Sequence, residues 1–169
     1  MRVMKTGLSL LVALMILFGG GQAAHAAANQ TVKAAIEDTA QYIYNTVKTP
    51  QVGSIGGEWA ILGLARSEYK VPEKYYRDYY ANVEAYVKER KGVLHDKKYT
   101  EYSRLTVALT SIGKDPRDVA GYNLLMPLGD FDKTIWQGIN GPIWALIALD
   151  SGSYPMPQNP VAATQATRA

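Results

Sequence analysis

The chain of 169 residues contains no cysteine. A thiolate nucleophile, a zinc site with Cys ligands and any disulfide are therefore excluded. Histidine is nearly as scarce, with only His25 and His95. An excess of charge of one sign is lacking too, once the N-terminus is understood. The one long apolar run, Gly7 to Phe18, is about a dozen residues, short for a bilayer span of roughly 20. Arg2 and Lys5 precede it, Gly19, Gly20 and Gly21 follow, and Ala24-His25-Ala26 supplies the small residues a signal peptidase requires. That order predicts a secretory signal peptide over residues 1–26, cleaved after Ala26, and a secreted or cell-envelope location. No transmembrane segment is expected after cleavage.

Removing residues 1–26 removes Arg2 and Lys5, so the formal charge falls to (18 − 2) − 15 = +1. A nearly neutral chain has no electrostatic footprint for nucleic acid. The cluster Lys88, Arg90, Lys91, Lys97 and Lys98 reads as a solvated helix end rather than a phosphate site. Exported eukaryotic domains of this size usually carry disulfides, so their absence points to a bacterial protein.

What is present is helical periodicity. Val32, Ile36, Ala40, Ile43 and Val47 form one stripe of an amphipathic helix that Thr49-Pro50 ends. The glycine-rich loop Gly53-Ser54-Ile55-Gly56-Gly57 then enters an almost wholly apolar helix, from about Gly57 to Ser67. Pro72 opens a further amphipathic helix with Tyr76, Tyr79, Val83, Tyr86 and Val87 on its buried stripe, ended by Gly92. Another apolar helix spans Thr100 to Ile112. Asp115-Pro116 predicts a short helix ending by Met126-Pro127, Asp130 to Ile139 an ordered loop, and Asn140-Gly141-Pro142 the start of a last complete helix to Asp150. Residues 161–169 read as the opening turns of another outer helix.

The apolar helices align as Trp59-x4-Leu64, Arg104-x4-Leu109 and Trp144-x4-Leu149, with the leucines 45 and 40 residues apart. Self-similarity at this period predicts stacked helical hairpins, because one hairpin cannot bury its own apolar face. Gln51-x5-Gly57-Glu58-Trp59 and Gln137-x3-Gly141-x2-Trp144, with the apolar runs behind them, resemble the prenyltransferase/squalene-oxidase repeat proteins of the terpenoid-cyclase-like α/α-toroid superfamily.

The resemblance covers roughly residues 30–169. It implies an all-α fold of repeated helical hairpins forming part of an α/α toroid, over residues 27–169. The chain carries three hairpins and the beginning of a fourth, fewer than a closed toroid needs, so a partial member is expected. Its open edge would leave an apolar face exposed, and self-association through that edge is expected.

The chemistry the superfamily uses is incomplete here. Asp130-Phe131-Asp132-Lys133 lacks the final aspartate of an Asp-x-Asp-Asp acid, and a helix cap or surface charge is the blander reading of these residues. Zinc ligation fails for want of Cys, with His95 the one histidine outside the signal segment. His95-Asp96 invites a general-base reading, yet no nucleophile is placed beside it. No cofactor is expected.

The resemblance places ligands at the mouth of the inner ring. The matching residues are Glu58, Trp59, Tyr102, Arg104, Asn140 and Trp144, with Trp136 and Gln137 in the preceding loop. Aromatic walls with a few polar groups suit a small or partly apolar ligand. The same residues are also readable as packing, with the tryptophans as pins between helices. The expected function is an exported, non-catalytic module that binds a ligand or partner. A terpenoid cyclase-like or prenyltransferase-like enzyme acting on isoprenoids is the alternative.

Overall fold

The computed structural model describes residues 29–158. Residues 1–26, read as a signal peptide, and the outer-helix turns expected over 161–169 lie outside the described residues. Residues 29–46 are helical (α1). A π-helical turn, Ile55–Trp59, runs directly into α2, Ala60–Arg66. Next come α3, Glu73–Glu89, and α4, Thr100–Ser111. A 3-10 turn at Met126–Gly129, the short α5 at Phe131–Thr134 and a 3-10 turn at Ile135–Gln137 lead to α6, Asn140–Asp150. Among the described residues there is no strand, only an isolated bridge between Val119 and Tyr122. The fold is all-helical.

The chain divides into two compact units at Thr39/Ala40. The described part of the first, residues 29–39, is helical and leaves Val32 and Ile36 exposed, although both fall on the apolar stripe expected to be buried. The stripe is buried only in the second unit, at Ala40, with Ile43 packed against the core.

In the second unit the three apolar helices are neighbours, with α4 packed against both α2 and α6. Almost every residue from Tyr102 to Leu109 is buried, as expected for a helix covered on two sides. α3 lays Tyr75, Tyr79, Val83 and Val87 into the same core. A four-residue spacing keeps these side chains on one face, each apolar one contributing about 1.5–3 kcal/mol on burial. The expected stripe began at Tyr76, whereas Tyr75 is the buried ring and its hydroxyl donates to the Val47 carbonyl at 2.7 Å. α6 is apolar nearly all round and leaves Ile143, Leu146 and Ile147 exposed.

Two expected elements differ. No helix follows Asp115-Pro116. Asp115 Oδ1 instead accepts from the Arg117 backbone N–H at 2.9 Å, and a tight turn through Ala120 (φ 52°) and Gly121 (φ 86°) pairs Val119 with Tyr122. Two successive left-handed residues make a hairpin turn and cannot continue a helix. The loop expected over Asp130 to Ile139 is instead helical turns, begun by Asp130, whose side chain accepts from the Lys133 N–H at 3.1 Å.

Two glycines fix how the loops enter the apolar helices. A Cβ on Gly57 would lie 2.0 Å from the Gln51 carbonyl oxygen, and one on Gly141 would lie 1.7 Å from that of Thr134. Only hydrogen fits where backbone meets backbone this closely. The glycine before each tryptophan is thus a packing requirement.

Candidate functional site

Glu58 occupies the π-helical turn and is 1% exposed. A buried carboxylate must be paired and hydrogen-bonded, and this one is. The Gly53 N–H donates to its Oε1 at 2.8 Å, as does the Tyr79 hydroxyl at 3.2 Å, while Arg104 Nε donates to Oε2 at 3.1 Å. Arg104 Nη2 also donates to Glu101 on the same helix. The guanidinium is therefore held from behind by two carboxylates, with its side chain 18% exposed. Burial, then the Glu58 charge, pushes the Tyr79 hydroxyl pKa far up, so it stays a donor.

In front of Arg104 lies a cleft of about 260 Å³ lined by Trp59, Thr100, Arg104, Asn140 and Trp144. Trp59 and Trp144 meet edge to face, ring centroids 5.2 Å apart at 61°, and Trp59 remains 37% exposed. Gln137 Oε1 accepts from both the Thr100 N–H (3.2 Å) and the Thr100 hydroxyl (3.0 Å), tying the loop before α6 to the start of α4. The cleft is thus built from the first turns of α4 and α6 and the entry to α2.

Of the residues expected at a mouth, Trp59, Arg104, Asn140 and Trp144 line this cleft together, with Gln137 bonded to its wall. Glu58 lies behind it, as the anchor of Arg104. Tyr102 does not reach it. That ring is buried, its hydroxyl accepting from the Leu94 N–H at 3.1 Å and donating to the Gly92 carbonyl at 3.3 Å. Residues two apart on a helix point to different sides, which separates Tyr102 from Arg104. Trp136 is also elsewhere, 57% exposed with Lys97 Nζ 5.5 Å from its ring centroid. Thr100 on the cleft wall and Glu101 behind Arg104 also belong to the arrangement, although the repeat alignment does not mark them. Their spacing signals them, since positions three and four before Arg104 share its face.

The remaining candidates have local structural roles or none. Asp130 starts α5, Asp132 is exposed, and His95 Nδ1 accepts from the Lys97 and Lys98 N–H groups, both at 3.1 Å. Among the described residues no group of three or more His, Asp or Glu side chains is placed to hold a metal, and no helix is long and apolar enough to cross a membrane. A wider groove of about 600 Å³ runs past the C-terminal ends of α2 and α4. Its serine hydroxyls are already used, Ser67 donating to the Leu64 carbonyl and Ser111 to that of Ala108. Tyr69, Lys70 and Tyr76 supply its other polar side chains.

Compared with known proteins, the chain matches no family model, no curated protein and no solved structure.

Proposed function

We propose that this chain is an exported, non-catalytic binding module on an α/α-toroid-like frame, and that its ligand occupies the cleft between Trp59 and Trp144. The observation that carries the reading is the convergence of two indoles, Arg104 and Asn140 from three separate helix entries on one concave site. Aromatic walls with a few oriented polar groups are what small-ligand sites present. The toroid reading draws support from the side-by-side order of α2, α4 and α6 and from the exposed face of α6, where a further hairpin or a second copy would add. Export rests on the pattern of residues 1–26.

Size restricts the ligand. At about 260 Å³ the cleft lies just below the roughly 300–1,000 Å³ of sites that enclose drug-sized molecules. It accommodates one ring or end group, and a long isoprenoid chain would extend into solvent. Ligand-observed NMR with a library of ring-sized fragments tests the reading. Hits that bind the full chain and are lost in Trp59→Ala, with helicity retained, are the expected result. A silent library, or hits indifferent to Trp59→Ala, would remove the cleft as a binding site.

A further inference from the structure

Resting on the binding role just proposed, we infer that the cleft takes a neutral polyhydroxylated ring, a pyranose at the end of a glycan. Charge narrows the class first. The Glu58, Arg104 and Glu101 cluster sums to (−1) + (+1) + (−1) = −1, so Arg104 is over-compensated from behind and offers an added anion little attraction. A cation fares no better, because the group lining the cleft is the guanidinium itself. What remains is a ligand without formal charge.

The hydrogen-bonding inventory sets the next requirement. Arg104 commits Nε to Glu58 and one Nη2 proton to Glu101, which leaves both Nη1 protons and the second Nη2 proton as fixed donors. Among the described residues the Asn140 carboxamide has no protein partner, so it offers both donors and an acceptor. Thr100 Oγ1 gives its proton to Gln137 and keeps its lone pairs. Donors and acceptors thus lie side by side in one small space. A single carbonyl or ether would answer only the donors, whereas vicinal hydroxyls answer both.

The walls complete the argument. Trp59 and Trp144 present broad apolar rings at 61° to one another, and a pyranose has an apolar C–H face to set against a ring and hydroxyls around its rim. A flat aromatic ligand would satisfy the walls and leave the Arg104 and Asn140 groups unpaired, at a cost in affinity. The rigidity of Arg104, held by two carboxylates, means that little order has to be imposed on binding.

The test is tryptophan fluorescence of the full chain titrated with methyl glycosides of glucose, galactose, mannose and N-acetylglucosamine. Sodium acetate, inorganic phosphate and tetramethylammonium chloride serve as charged probes. A saturable response to at least one glycoside and to none of the charged probes is expected, weakened about tenfold by Asn140→Ala for one lost hydrogen-bonding group worth about 1.4 kcal/mol. Asn140 is exposed, so that variant leaves the core intact. Response to a charged probe with silence from every glycoside overturns the ligand class and leaves the cleft as a site. Silence from all probes and from the fragment library overturns the class and the site together. A glycoside response unchanged in Asn140→Ala overturns the assignment to this cleft.

Discussion

Glu58 and Trp59 are neighbours in sequence and opposites in role. Glu58 points inward, where each carboxylate oxygen is met by a donor and Arg104 is its charged partner. Trp59 points outward, where an indole and the adjoining Arg104 and Asn140 groups stand without protein partners for part of their bonding capacity. Side by side in the chain, the two residues separate a site from its support. Satisfied polar groups fix geometry, and unsatisfied ones on the same guanidinium are what remains for a ligand.

Glu58→Ala removes the support and should have the largest effect. Removing its carboxylate leaves the buried Tyr79 hydroxyl and the Gly53 N–H without their acceptor and Arg104 with Glu101 alone, and a loss of about 3 kcal/mol in urea unfolding is expected. A loss no larger than that of a surface substitution would place Glu58 outside the support. Gly141→Ala comes next. Its Cβ would meet the Thr134 carbonyl, a backbone atom that cannot swing aside, so α6 must shift at an expected cost of about 1–3 kcal/mol. Trp59 to Trp144 contact would loosen with it, and a variant as stable as the parent would show that the loop yields.

Titration probes the buried tyrosines of the core. Burial and the neighbouring Tyr76 and Tyr44 push the Tyr75 pKa up to about 12, and burial also raises those of Tyr79 and Tyr102. The folded state then holds protons that the unfolded chain releases near pH 10, so stability is full below about pH 10 and falls as pH rises toward 12. Circular dichroism against pH should show alkaline unfolding over that window, moved to higher pH in Tyr75→Phe if the substitution keeps the packing. Ellipticity that stays flat through pH 12 would contradict the burial of these hydroxyls.

The smallest effect concerns α4. The Thr106 hydroxyl is buried with no hydrogen-bond partner. Thr106→Val exchanges it for a methyl group of similar size, and stabilisation by about 1 kcal/mol in urea unfolding is expected. Destabilisation would mean that the hydroxyl has a use in the folded chain.

Much of this arrangement is legible in the residues. The apolar runs behind Trp59, Arg104 and Trp144 mark three helices that pack as neighbours, and the alignment of those runs brings Trp59, Arg104, Asn140 and Trp144 to one cleft. Helix geometry alone would have set Tyr102 apart from Arg104 and added Thr100. Other features depend on contacts that spacing does not carry. The stretch from Asp115 to Met126 has the cap and proline of a helix start, yet the left-handed pair at Ala120 and Gly121 turns the chain back. The role of Glu58 needed Tyr79, 21 residues away, and Arg104, 46 residues away. A carboxylate at a helix entry reads as a first-turn charge until its partners from other helices are known.

The most direct measurement uses the three tryptophans of the chain as their own control. Indole N–H resonances of the ¹⁵N-labelled protein would be followed while the methyl glycosides are added. The Trp59 and Trp144 signals should move together and saturably, while that of Trp136, outside the cleft, stays in place. Stationary Trp59 and Trp144 signals, or a Trp136 signal that moves as far as theirs, would contradict binding in this cleft.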